Sequence, residues 1–319
     1  MKRKLFTGLA LGLLTLGILG AFGDFSKVYD IVKGVSLKVI FGALLLSLAN
    51  YTIRFFKWHY YLRLLGHDVS YKNSFKIYYS GLSMAITPGK FGEVIKSSLM
   101  ASMEGVQEHE TLPVVITERL VDLVSVLFLI GAGLGGVIKT PGVFIGGVVL
   151  TLFFFLLFTT DIFGRRIYKV LGRMLLKRLG EEQVDRAMQN QRLLLRPVPF
   201  LIGTLLSALA WASEAIGMYI IVLGLGGKIS WLDAIFVYST GTLAGAISMI
   251  PGGLVATEAS LTGLLSPEVL HVFSDKAHAV AATILVRLCT LWFAVLVGGI
   301  TLLMVRKDLR TSSEQKVTP

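Results

Sequence analysis

The residues of this chain best suited to chemistry are charged side chains set beside helix-breaking pairs inside apolar sequence. Ile86-Thr87-Pro88-Gly89-Lys90-Phe91-Gly92-Glu93 is followed closely by Lys96, and Met249-Ile250-Pro251-Gly252-Gly253-Leu254-Val255-Ala256-Thr257 leads into Glu258. The backbone breaks are Pro88, Gly89 and Gly92 in the first segment and Pro251, Gly252 and Gly253 in the second. Broken helices leave N–H groups unpaired, and adding Lys90 and Lys96 at such an end makes a receptor for phosphate or another anion. Glu93 and Glu258 would offset a cationic group or carry a proton.

Further charges lie in otherwise apolar runs: Arg54 with Asn50 one turn before it, then Glu118, Arg119 and Asp122, then Glu214 and Arg287. A charge at bilayer depth costs roughly 3 kcal/mol on insertion scales, so such groups face the interior and have partners. Glu118 and Asp122 share a helix face, while Arg119 points about 100° away. Salt bridges that merely pin helices together would explain part of this set, and Glu214 would then pair with Arg287 across the molecule. The predicted binding set is Asn50, Arg54, Lys90, Glu93, Lys96, Glu118, Arg119, Asp122, Glu258 and Arg287.

The elements that must carry these groups belong to a membrane protein. Of 319 residues, 54% are hydrophobic and only 16% charged, against about a quarter charged in soluble domains. The expected fold is an all-α polytopic membrane protein with about six spanning helices, near 5–22, 37–56, 111–137, 142–160, 199–224 and 277–304. Residues 72–103 and 231–265 are predicted as two re-entrant broken hairpins, since lipid tolerates irregular backbone only where protein or water shelters it. The plainer alternative makes each a pair of kinked spanning helices.

The net charge of +11 reads as a topology signal, not as nucleic-acid binding, because no recognition module accompanies it. Lysines and arginines concentrate in the loops at 2–4, 57–72, 165–196 and 306–310, which places both N- and C-termini in the cytoplasm. Lys57 falls in one of these inner loops. Met1-Lys2-Arg3-Lys4 before an apolar run is expected to open a retained anchor helix, with a cleaved signal peptide as the alternative. Residues 164–196 form either a basic linker or an amphipathic helix on the inner membrane surface. The expected organisation is residues 1–34 as anchor helix and outer loop, 35–305 as the transmembrane domain, and 306–319 as a polar cytoplasmic tail. Within the domain, a first repeat covers about 37–137, a helix 142–160 and basic segment 161–197 link the halves, and a second repeat covers about 199–304. The repeats start on opposite sides, so they would form an inverted-topology repeat. Tyr79-Ser80-Gly81 before Pro88 echoes Tyr238-Ser239-Thr240-Gly241 before Pro251, and Arg119-Leu120 echoes Arg287-Leu288.

Other chemistry finds little support in the sequence. His59, His67, His109, His271 and His278 lack metal-ligand spacing. Gly131, Gly133, Gly135 and Gly136 have no Lys-Ser or Lys-Thr after them and suit close helix packing. The single Cys289 forms no intramolecular disulfide. Trp58, Trp231, Tyr60 and Tyr61 read as interfacial anchors. No catalytic residue, metal or cofactor is expected.

The motifs Asn50…Arg54…Lys57-Trp58, Pro88-Gly89-Lys90-Phe91-Gly92-Glu93…Lys96, Glu118-Arg119…Asp122 and Pro251-Gly252-Gly253…Glu258 occur in that order. With them, residues 35–305 resemble the transmembrane region of lysylphosphatidylglycerol synthases and the wider flippase-like family of membrane proteins. The chain departs from the family at Val255 and Thr257, where a further Gly and often a basic residue are usual. It carries no counterpart of the soluble aminoacyl-transfer domain, so the resemblance implies lipid handling without lipid aminoacylation. The expected function is a carrier for an anionic phospholipid or a polyprenyl-phosphate-linked molecule in the plasma membrane, not an enzyme. A membrane-embedded transferase with Glu93 or Glu118 as base, or an accessory subunit without activity, are the competing expectations, and an oligomer fits any of them.

Overall fold

The computed structural model describes residues 24–87, 93–137, 149, 165–166, 168–170 and 180–315. Among these residues the secondary structure is helical throughout: α1 Phe25–Lys33, α2 Leu37–Leu64, α3 Tyr71–Leu82, α4 Ile95–Glu104, α5 Glu108–Val137, α6 Glu181–Leu194, α7 Pro197–Gly224, α8 Trp231–Ile247, α9 Ala256–Leu265, α10 Lys276–Arg287 and α11 Phe293–Gln315. A π-helical turn, Leu288–Trp292, joins α10 to α11. Among the described residues, three helices are long and apolar enough to cross a membrane, namely Leu37–Leu64, Pro197–Gly224 and the continuous Lys276–Leu309. The expected spans at 5–22 and 142–160 lie outside the described residues, apart from helical Val149.

The two halves repeat one order of events. α2 and α7 are both 28 residues long. Each ends on a left-handed glycine, Gly66 (φ +84°) or Gly226 (φ +78°). There the chain turns back on itself: His67 N–H donates to the Leu62 carbonyl and Gly227 N–H to the Val222 carbonyl, satisfying end groups the helix leaves open. Ser70 and Ser230 then cap α3 and α8, their hydroxyls accepting from Asn73 N–H and Asp233 N–H. After α3 and after α8 the helical run is interrupted. The first break begins in the turns at 83–87 that follow α3, and helix is described again from the 3₁₀ turn at Glu93 and Val94 that leads into α4. The second break runs through the 3₁₀ turn Pro251–Gly253 into α9.

Small residues bring the halves together. α2 and α7 run antiparallel: Gly224 meets Val39, Gly42 meets Ile220, and Gly217 lies over Ala43 and Leu46. Midway, the Asn50 amide donates to the Ala210 carbonyl at 2.7 Å. The outer helices are exchanged between halves. On α5, Gly133 abuts Phe236 of α8, where an added Cβ would stand 2.6 Å from the phenylalanine Cβ. On α11, Gly298 lies against the backbone at Leu82 and Ser83, at the end of α3. Glycine is required at both crossings because the backbones approach too closely for a side chain.

Four expectations are corrected. The helix expected at 37–56 continues to Leu64, so Lys57 and Arg63 belong to a helix rather than a loop. Trp58 and Tyr61 are buried core residues, not interfacial anchors. The outer loop after residue 23 contains α1, which packs Val28 against Ala277, Val280 and Ala281 of α10. The polar tail is helical through Gln315, and Lys76 donates to Asp308 at 2.5 Å. In the basic segment, α6 does form an amphipathic helix. Its buried face (Val184, Ala187, Met188, Gln191) turns inward, and Gln191 donates to the Thr117 hydroxyl of α5 at 2.8 Å.

Candidate functional site

The first half of α5 places Glu118, Arg119 and Asp122 in the protein interior, and each reaches a different neighbour. The Asp122 carboxylate accepts from Arg54 (3.0 Å) and Lys57 (2.7 Å), both on α2, and from the Ser207 hydroxyl of α7 (2.8 Å). The Lys57 ammonium also lies 2.5 Å from Ser207. Three helices are therefore tied at one carboxylate. The Arg54 guanidinium completes its surroundings by lying 5.3 Å from the Trp211 ring.

One turn away, Glu118 accepts from Lys96 of α4 at 2.5 Å. The Lys96 stem runs over Gly81, where an added Cβ would stand 2.6 Å from the lysine Cγ. Its ammonium sits 4.6 Å from the Trp58 ring centre and 5.1 Å from that of Tyr78, a favourable placement over aromatic faces. Glu93, at the exit of the first break, joins the two clusters. It lies 2.9 Å from Arg119 and 3.4 Å from Lys96, and Arg119 also approaches Asp122 at 3.4 Å.

The result is one network of four cations (Arg54, Lys57, Lys96, Arg119) and three carboxylates (Glu93, Glu118, Asp122). Burying such charges costs several kcal/mol each unless partners and hydrogen bonds compensate, and here every ion has an opposite charge within 3.5 Å. One member differs. The Arg119 side chain is 26% exposed, whereas none of the other six exceeds 8%. Arg119 is the group of this network that a ligand can reach.

The second break has its own ion pair. Arg287, the last residue of α10, lies 2.6 Å from Glu258 in the first turn of α9 and donates to the Gly252 carbonyl at 2.7 Å. The expected Glu214–Arg287 pair does not form. Glu214 instead accepts from the Tyr238 hydroxyl at 2.6 Å. Backbone strain gathers at this break: Met249 (φ +53°) and the β-branched Val255 (φ +69°) adopt left-handed conformations that such residues rarely hold.

The two breaks meet. A Cβ on Gly252 would stand 3.2 Å from Ile86 of the first break. Ala85, Leu254 and Leu291 share a small buried cluster beside them.

Most of the residues singled out by sequence thus fall into two sites at adjoining breaks. Arg54, Glu93, Lys96, Glu118, Arg119 and Asp122 form the first, and Glu258 and Arg287 the second. Lys90, with Pro88, Gly89 and Gly92, lies outside the described residues. Asn50 stands apart from both sites, because its amide is committed to tying α2 to α7. Sequence reasoning left Lys57 out of the binding set, although it stands in the motif with Asn50 and Arg54, and missed Ser207. Lys57 follows Arg54 by three residues and so shares its helix face; that spacing was the available signal. Ser207 had none.

This arrangement can be compared with known proteins. Residues 6–298 match the model of the family described as the lysylphosphatidylglycerol synthase TM region. The chain belongs to that family. Its relatives include a UPF0104 membrane protein of Pyrococcus horikoshii, 25% identical over 98% of this chain and 100% of the relative. A UPF0104 membrane protein of Methanothermobacter thermautotrophicus is also 25% identical, over 94% of this chain and 92% of its own length. A third, of Methanocaldococcus jannaschii, is 20% identical over 93% of each. As a member of the lysylphosphatidylglycerol synthase TM-region family, the protein is an integral membrane protein, and its family connects it with lipids.

Proposed function

We propose that this protein is a lipid transporter of the plasma membrane that carries an anionic or lipid-linked headgroup between leaflets by alternating access. The observation that carries the reading is the abutment of two helix breaks, Ile86 against Gly252, beside a buried ion network that presents one accessible guanidinium. Irregular backbone and paired charges at depth are features of substrate sites in carriers built from inverted repeats. The antiparallel α2 and α7, the matching order of elements and the exchanged outer helices support an inverted-topology repeat; about six spans and cytoplasmic termini complete the proposed architecture. Arg119 would bind the headgroup anion, Lys96 and Arg54 would sustain the positive field, and the carboxylates would balance the charge. The protein acts as a carrier, not an enzyme.

Reconstitution into vesicles with fluorescent phospholipids tests the proposal. Wild-type protein is expected to equilibrate the probe between leaflets, and Arg119→Ala and Glu93→Gln, folded normally, to do so at an altered rate. Unchanged translocation in both variants refutes this site. Release of a new lipid product by purified protein and a donor would favour a transferase instead.

A further inference from the structure

Resting on that reading of the first site, we propose that Glu93 is an internal stand-in for the cargo: its carboxylate occupies the place on Arg119 and Lys96 that a phosphate-bearing headgroup takes, and the headgroup binds by displacing it.

The three carboxylates of the network differ in how they are held. Asp122, on α5, is fixed by Arg54, Lys57 and the Ser207 hydroxyl, with Arg119 at 3.4 Å. Glu118 is fully buried on the same helix and faces Lys96 alone. Glu93 instead sits in the short 3₁₀ turn between the first break and α4. Lys96 and Arg119, the two cations described beside it, each have another carboxylate in reserve. With Glu93 withdrawn, Lys96 keeps Glu118 at 2.5 Å and Arg119 keeps Asp122 at 3.4 Å. Its departure therefore leaves both Lys96 and Arg119 with a carboxylate, whereas loss of Asp122 would strand Arg54 and Lys57, the costly outcome.

Arg119 is also prepared for a second acceptor. It is the open member of the network, and its Nε is buried without a hydrogen-bond partner. A phosphate oxygen reaching Nε, with another taking the Nη2 position that Glu93 leaves, gives the paired contact for which a guanidinium is shaped. The exchange replaces one anion by another, so the buried charge balance survives both loading and release. The second break lacks this provision: Glu258 meets Arg287, and Arg287 holds the Gly252 carbonyl as well.

The test uses full-length protein in detergent, titrated with short-chain phosphatidylglycerol and with inorganic phosphate, and the same variants in proteoliposomes. Removing the competing charge in Glu93→Gln should tighten binding at least tenfold and slow translocation, because nothing then expels the headgroup. Glu93→Asp should stay near wild type. Tighter binding of phosphatidylglycerol alone supports a lipid headgroup, and tighter binding of both probes supports a free phosphate; either supports displacement. Equal or weaker binding of both in Glu93→Gln, with Arg119→Ala still abolishing binding, overturns displacement and leaves the site reading intact. Binding that ignores Arg119 in every background overturns both. Hydrogen–deuterium exchange on wild-type protein gives an independent measure. Phosphatidylglycerol should raise exchange over residues 93–97, and protection there overturns the proposal.

Discussion

The two breaks share a skeleton and differ in charge. In each half, the helix after the break lays a side chain across a glycine of the helix before it: Lys96 across Gly81, and Leu261 across Gly241. The lysine stem does the packing of the leucine, then carries an ammonium on to Glu118. In each half an arginine of the following long helix meets the glutamate behind the break, Arg119 with Glu93 and Arg287 with Glu258. Beyond that pair the first half adds Arg54, Lys57 and Asp122, while the second closes on a backbone carbonyl. The comparison teaches that the ion pair and glycine contact belong to the scaffold. The additional charges are confined to the first half, which the proposed function makes the receptor.

The strongest way to break this distinction is Asp122→Ala. It strands Arg54 and Lys57 and should cost about 3–5 kcal/mol, seen as a large loss of thermal stability in detergent. Leu261→Lys imposes the first half's charge on the second without its acceptor, and should cost roughly 3 kcal/mol; a melting temperature equal to wild type would show that an unnoticed partner exists there. Glu258→Gln should be milder, about 1–3 kcal/mol, because Arg287 retains the Gly252 carbonyl. The sharpest variant is the smallest in stability. Lys96→Leu with Glu118→Met rebuilds the first half in apolar form and should shift stability by under about 1.5 kcal/mol, since a buried pair exchanged for well-packed apolar groups is often neutral. Translocation of an anionic lipid should nevertheless fall, as vesicle assays would report.

The second break, the long helices beside it and most charged members of the candidate site were legible in the sequence, because each leaves a local mark: a Pro-Gly pair, apolar length, a charge where lipid should be. Pairing was less legible. Lys57 looks like a loop residue by its neighbours Trp58, Tyr60 and Tyr61, yet its acceptor Asp122 lies on another helix. The same limit misassigned Glu214, whose hydroxyl partner Tyr238 carries no charge to search for. The sequence of α1 reads as loop because nine residues with charges at Lys27, Asp30 and Lys33 show no stretch long enough to span, and its packing on α10 supplies what its own sequence lacks.

The contact of Ile86 with Gly252 has a mechanical consequence. Two fingertips pressed together cannot be withdrawn independently: if one retreats, the other loses its support and the small oily cushion of Ala85, Leu254 and Leu291 is torn open. Movement of one break would therefore disturb the other, and a staple joining the fingertips would hold the two together.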